Sequence, residues 1–213
     1  MKLLLLFIIL LYYFMSNKVK EFYDTNYEYF NITRVRIWHV FKNLILELKP
    51  TTKLLEAGCG NGKNLEYFQK HNINSYGIDF SKKLLDICIS KNLNVKYGDI
   101  RNIPYPDNYF DCVISPAVVH HLKSEKDRIK SINEMIRVCK PNCKIIISIW
   151  AVEQEKDSKR KFKFKFGDNL VPWREQFRYY YIYDKLNFLK FIKNFNVEKY
   201  FWEKGNWYFI IIK

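Results

Sequence analysis

From Lys53 onward the chain alternates two kinds of apolar segment. Short continuous runs at residues 54–57, 75–78, 95–97, 110–115 and 144–150 have the length of strands buried on both faces. Between them lie segments with apolar residues every three or four positions. Residues 63–70 form one, residues 81 to about 91 another through Leu84, Leu85 and Ile87, and residues 125–138 a third, with Ile129, Ile132 and Ile136 on one face. Ser81 stands where a helix cap is needed. Strands joined by helices of this length predict right-handed crossovers and a parallel sheet, which binds ligands at the carboxyl ends of its strands. Further on, residues 183–194 read as a helix. Residues 197–202 and 207–212 read as two strands joined through Lys204-Gly205-Asn206. Upstream, residues 18–30 carry Phe22, Tyr23, Tyr27, Tyr29 and Phe30 and predict a half-buried helix. After the cap Asn31-Ile32-Thr33, residues 34–48 predict a second helix with Val35, Trp38, Phe41, Ile45 and Leu48 on one face, ended by Pro50. The expected fold is α/β and Rossmann-like: a mainly parallel seven-stranded sheet, helices on both faces, and an antiparallel C-terminal hairpin.

Length and composition fit one ordinary domain with a small extension, since the chain has 213 residues of which 48% are hydrophobic. The extension is residues 1–17, in which Leu3 to Met15 is an uninterrupted apolar run. As a helix that run spans about 20 Å, short of a bilayer core of about 30 Å. A membrane anchor, a signal segment, a helix packed on the domain and a species-specific extension all remain open for it. Residues 18–213 form the domain, with a basic insertion at 153–169. The formal charge of +14 points to a polyanionic partner such as RNA. The densest basic stretch is Lys159-Arg160-Lys161-Phe162-Lys163-Phe164-Lys165-Phe166, where cations can meet phosphates while the rings pack or stack on bases. A solvated loop is the bland alternative. The five cysteines (Cys59, Cys88, Cys112, Cys139, Cys143) contain no C-x-x-C, which predicts buried reduced thiols and neither a zinc site nor a disulfide framework.

The candidate chemistry sits at the predicted strand ends. Leu54-Leu55-Glu56-Ala57-Gly58-Cys59-Gly60-Asn61-Gly62 places three glycines at G-x-G-x-G spacing between a strand and a helix. Nicotinamide-binding turns more often read G-x-G-x-x-G; the tighter spacing after an acidic strand end suggests S-adenosylmethionine. Gly58, Gly60 and Gly62 would let that ligand approach the backbone. Asp79, about twenty residues on, suits the ribose hydroxyls. Asp99 suits the adenine amino group with Ile100 lying on the ring, and Glu56 suits the methionine ammonium. Ser115 ends the fourth strand and joins this cofactor set. After it, Ser115-Pro116-Ala117-Val118-Val119-His120-His121 stands where an acceptor would meet the methyl group.

In this order these residues resemble class I S-adenosylmethionine-dependent methyltransferases over residues 53–150. A narrower likeness lies outside that core. Phe30-Asn31-Ile32-Thr33-Arg34 with Trp38, Ala117 to His121, Trp150-Ala151-Val152-Glu153-Gln154, Leu170-Val171-Pro172-Trp173, Arg178-Tyr179-Tyr180 and Gly205-Asn206-Trp207 resemble the wobble-uridine tRNA carboxymethyl methyltransferases. The resemblance implies methyl transfer to the carboxylate of 5-carboxymethyluridine in the tRNA anticodon loop, a cytoplasmic and also nuclear location, and a small zinc-binding activator subunit. Within it, Arg34 is expected to position the carboxylate, with His120 and Tyr179 in the acceptor pocket. No metal ligand is expected in the chain. His39 replaces a usual proline, Tyr181 replaces a usual histidine, and the apolar head has no family counterpart. Two other readings use fewer of these features: methylation of a small carboxylate or amine, and a non-catalytic scaffold that binds RNA or a membrane.

Overall fold

The structure is a computed structural model that describes residues 18–156 and 162–213. The apolar run at residues 3–15 and the cations Lys159, Arg160 and Lys161 lie outside them. Nine strands are described: β1 Lys53–Ala57, β2 Asn74–Asp79, β3 Asn94–Tyr97, β4 Phe110–Pro116, β5 Cys139–Trp150, β6 Gly167–Trp173, β7 Gln176–Ile182, β8 Val197–Glu203 and β9 Asn206–Ile212. Seven form one sheet in the order β3-β2-β1-β4-β5-β9-β8. Strands β1 to β5 run parallel. β9 is antiparallel to both β5 and β8, which is the expected C-terminal hairpin.

Side-chain alternation explains why the central strands are continuously apolar. Leu55, Val113, Ile145 and Phe209 point to one face, where Ile132, Met135 and Phe188 pack on them. Their neighbours Leu54, Cys112, Ile146 and Tyr208 point to the other, against Phe41, Leu44 and Phe68. The first face is covered by α6 Glu125–Val138 and α7 Lys185–Ile192. The second is covered by α3 His39–Leu44 and α4 Lys63–Lys70. α5 Lys82–Ser90 joins α4 around Leu65, Leu85 and Cys88. Ser81 caps α5 by accepting from the Leu84 N–H, as expected.

Three features differ from expectation. The segment expected as one helix over residues 34–48 is extended through residue 38 and helical only from His39. Before it, α1 occupies residues 18–25 and α2 spans Tyr27–Thr33. The stretch before α7 is a separate hairpin of β6 and β7, in full antiparallel register from Gly167↔Ile182 to Trp173↔Gln176. Cys139 and Cys143 are joined as a disulfide within β5, while Cys59, Cys88 and Cys112 are free and buried. Cys139 pairs with Phe110 and Lys144 pairs with Cys112, so the intervening chain bulges and brings the two sulfurs together. Among the described residues no helix is long and apolar enough to cross a membrane. Nor does any group of three or more His, Cys, Asp or Glu among them stand where it could hold a metal.

Candidate active site

A cleft opens at the carboxyl ends of β1, β2 and β4, with walls of opposite character. The first wall is acidic. Its floor is the glycine turn, folded back so that the N–H groups of Gly58 and Cys59 both donate to the Ile78 carbonyl at 2.9 Å. Gly62 has φ +72°, and a Cβ there would lie 2.5 Å from Leu93 Cδ1 and 2.8 Å from Cys88 Sγ. Only glycine fits both the backbone and the space.

Glu56 is 2% exposed. Its Oε1 accepts from Asn64 Nδ2 at 2.6 Å, while Oε2 is buried without a partner. Burial pushes this carboxyl up to about 8, against the Asn64 hydrogen bond and the nearby Lys63 charge. Asp79 ends β2 and accepts from the N–H groups of Gly60 at 2.8 Å and Ser81 at 2.9 Å. Burial raises it to about 6 even so. Each of its oxygens keeps a second lone pair for a ligand hydroxyl. Asp99 and Ile100 also line this wall. Asp99 is gripped by Arg101, whose backbone N–H donates at 2.8 Å and whose guanidinium reaches both oxygens. Burial would raise the Asp99 carboxyl, but the Arg101 bonds hold it below the usual range.

The second wall is cationic and aromatic. Arg34 leaves the end of α2 and lies 4.2 Å from the Trp173 ring centre. Arg178, on β7, lies 4.0 Å from the centre of the same ring. Between the walls, His121 Nδ1 lies 2.9 Å from the Tyr179 carbonyl and its Nε2 lies 2.9 Å from Tyr23 Oη. A carbonyl only accepts, so Nδ1 carries the proton and Nε2 accepts from the tyrosine hydroxyl. Burial, with Arg178 adding to it, lowers His121 to about 3. The imidazole is neutral, and both its nitrogens are engaged.

Four expected site residues, Gly62 among them, are not on the cleft wall. Ser115 is fully buried and donates its hydroxyl to the Ala57 carbonyl at 3.0 Å, tying β4 to β1. His120 is fully buried beside Tyr180 and Trp150, and its Nδ1 accepts from the Trp150 N–H. Burial, His121 and Arg178 hold it well below the usual histidine range. Tyr179 turns away to donate to Asp168 at 2.5 Å. The cleft is lined instead by His121, Arg178 and Tyr180. The signal that finds the last two is period two: residues 178 and 180 of a strand share a face and 179 does not. Arg34, Glu56, Gly58, Gly60, Asp79, Asp99 and Ile100 all reach the cleft. Gly62 sits one residue behind it, as the left-handed cap of α4.

The glycine turn also reaches the second wall. Asn61 Nδ2 donates to Asn31 Oδ1 at 3.0 Å and to the Arg34 carbonyl at 3.3 Å. The turn and the arginine are therefore one hydrogen-bonded unit.

Known proteins share both fold and sequence with this chain. A family described as a methyltransferase domain matches residues 55–147. A Schizosaccharomyces pombe tRNA (carboxymethyluridine(34)-5-O)-methyltransferase is 32% identical over 165 residues, covering 76% of this chain and 70% of that protein. The chain belongs to this family. An Arabidopsis thaliana protein of the same name is 38% identical over 140 residues, covering 66% of this chain. The chain spans about a third of the length of that protein and of a Bos taurus relative, 34% and 33%. Among solved structures, a Methanosarcina mazei S-adenosylmethionine-dependent methyltransferase superposes with TM-score 0.65 at 19% identity, covering 83% of this chain and 98% of that one. A Haloferax volcanii methyltransferase, solved in complex with the Trm112 activator, gives 0.69 at 13% identity, covering 91% and 96%. The fold is that of the Rossmann-like methyltransferases.

Proposed function

We propose that this chain transfers a methyl group from S-adenosylmethionine to the carboxylate of 5-carboxymethyluridine at wobble position 34 of tRNA, giving the methyl ester. The observation that carries this reading is the second wall: two arginines on one indole beside a neutral histidine whose nitrogens are both engaged. An acceptor that must lose a proton needs a base there, and an amine acceptor would meet like charge. A carboxylate suits both features, because with a reference pKa near 4 it is already ionised. Family membership supplies the nucleoside and the RNA.

The first wall fits the cofactor. Glu56 Oε2 is a buried oxygen awaiting a cation, the part the methionine ammonium would play. Asp79 keeps lone pairs for the ribose hydroxyls, Asp99 and Ile100 flank the place of the adenine, and Gly58 and Gly60 bring bare backbone to the ligand, with Gly62 setting the turn. S-adenosylmethionine, when bound, supplies an electrophilic methyl group. The chain's own part is alignment: Arg34 orients the carboxylate, and Tyr23 and Tyr180 wall the pocket. A firm bidentate grip on both carboxylate oxygens would dull the nucleophile, so one oxygen is left for attack.

The domain is residues 18–213 with residues 1–17 as an extension, and it works where tRNA is modified, in the cytoplasm and nucleus. The partner is a small zinc-binding activator subunit, a reading supported by family resemblance and by the Haloferax complex. The test is incubation with labelled S-adenosylmethionine and tRNA bearing carboxymethyluridine, with and without activator, followed by mass spectrometry of the nucleosides. Appearance of the ester is expected. Label in small carboxylic acids but not in tRNA would replace this reading with small-molecule methylation.

A further inference from the structure

Among the described residues two arginines are almost wholly buried, and they differ in one respect. Arg128 is 1% exposed, and two of its nitrogens are fully engaged: Nε on Tyr183 Oη at 2.9 Å, Nη1 on the carbonyls of Leu122 at 2.8 Å and Lys123 at 2.7 Å. It lies off the cleft and holds the turn before α6 in place. Arg178 is 5% exposed, yet its Nε has no partner, and the hydrogen bond found for its guanidinium is from Nη1 to Tyr23 Oη at 3.4 Å. Aromatic rings surround it, with Trp173, Tyr180 and Phe22 centred 4.0, 5.1 and 5.4 Å away. Among the described residues no acidic group lies within ion-pair distance of it. Rings soften the loss of water around a guanidinium, but they do not replace an anion.

The surroundings also fix which way this cation is served. His121 Nε2 accepts a hydrogen bond from the Tyr23 hydroxyl, because its other nitrogen donates to the Tyr179 carbonyl. The Tyr23 oxygen therefore turns a lone pair toward Arg178 and cannot donate to a ligand. Tyr23 thus helps orient Arg178, and the guanidinium faces the cleft with its Nε unpartnered.

We infer that Arg178 binds the acceptor carboxylate and sets the preference for the acid over the neutral amide of the same side chain. The inference rests on the acceptor proposed above and adds the residue that recognises it. Carboxymethyl and carbamoylmethyl groups have nearly the same shape, so a pocket can separate them only by charge and by donor pattern. A buried guanidinium without an anion rewards the charge of the acid through one of its oxygens, leaving the other for attack, and gains no ion pair from the neutral amide. The same logic applies after transfer. The ester carries no charge, its ion pair with Arg178 is lost, and the product leaves more readily than the acid bound.

The test uses the full chain with its activator, S-adenosylhomocysteine at saturation, and three anticodon stem-loop RNAs bearing the acid, the amide or the methyl ester at one position. Wild type is expected to bind the acid RNA at least about tenfold more tightly than the other two. Arg178→Gln should abolish that preference while its affinity for the amide RNA stays within about twofold of wild type, a control a folding defect would fail. Arg178→Lys keeps the charge but loses the fork; it should retain only part of the preference, and it serves if the glutamine variant does not fold. A preference unchanged in these variants overturns the role of Arg178 and leaves the proposed acceptor standing. A wild type that binds acid and amide RNA equally overturns both.

Discussion

Glu56 is buried as deeply as the leucines beside it but carries a carboxyl with one oxygen unpartnered, and its titration is the most accessible consequence. Its pKa in the folded protein is about 8, far above the usual carboxylate value. A group raised in this way binds its proton more tightly folded than unfolded. The stability it lends is therefore present at low pH and lost as pH rises through the window from about 4 to about 8. The thermal midpoint of the cofactor-free protein should fall across that window, and Glu56→Gln should flatten the fall. A bound ammonium reverses the preference, so S-adenosylmethionine should bind more tightly as pH rises from about 6 to about 8 and should release a proton near pH 7. Calorimetry in two buffers of different ionisation enthalpy measures that proton, and Glu56→Gln should remove it. Arg34→Ala tests the second wall: kcat/KM for tRNA should drop by about a hundredfold with S-adenosylmethionine affinity unchanged. A variant with wild-type turnover would end the claim for Arg34.

At the scale of elements, the glycine turn is the most constrained piece. Gly62→Ala places a Cβ against Leu93 and Cys88 at a left-handed backbone position, so a cost of about 1–3 kcal/mol in unfolding free energy is expected. Asn61→Ala should act differently, because its amide ties the turn to Asn31 and Arg34. It should weaken cofactor affinity and raise the KM for tRNA together. The sheet was legible because each central strand is apolar on both faces and each helix has one apolar stripe. The acidic wall was legible because its residues follow predictable strand ends. Of the second wall only Arg34 was, because β6 and β7 carry Trp173, Arg178 and Tyr180 among polar residues and do not read as a buried pair. Without that strand no face could be assigned, and Tyr179 stood in for its neighbours. His120 and His121 are adjacent, and only the turn at Val119–His121 decides which of them meets the cleft.

Over the whole molecule, the net charge of +14 matters through its placement. Phe162 and Phe164 pack against Trp150 at 6.2 and 5.5 Å, which leaves Lys163 and Lys165 exposed on the same extended strap. The rings therefore join the wall of the domain, and the lysines are left to meet phosphates. If about five phosphates are neutralised, log affinity for tRNA should fall with log salt at a slope of roughly −3 to −4. Replacing Lys159, Arg160, Lys161, Lys163 and Lys165 by glutamine keeps the phenylalanines and should make that slope shallower; an unchanged slope would assign the stretch to solubility alone. On the proposed reading, the acceptor reaches the cleft already ionised and needs no base. The direct measurement is the single-turnover rate of methyl transfer to carboxymethyluridine tRNA, at saturating S-adenosylmethionine and with activator, between about pH 6 and pH 9. A rate constant within about twofold across that range is expected, whereas a rise of about tenfold per pH unit would show a proton leaving the acceptor and overturn the ionised-acceptor mechanism.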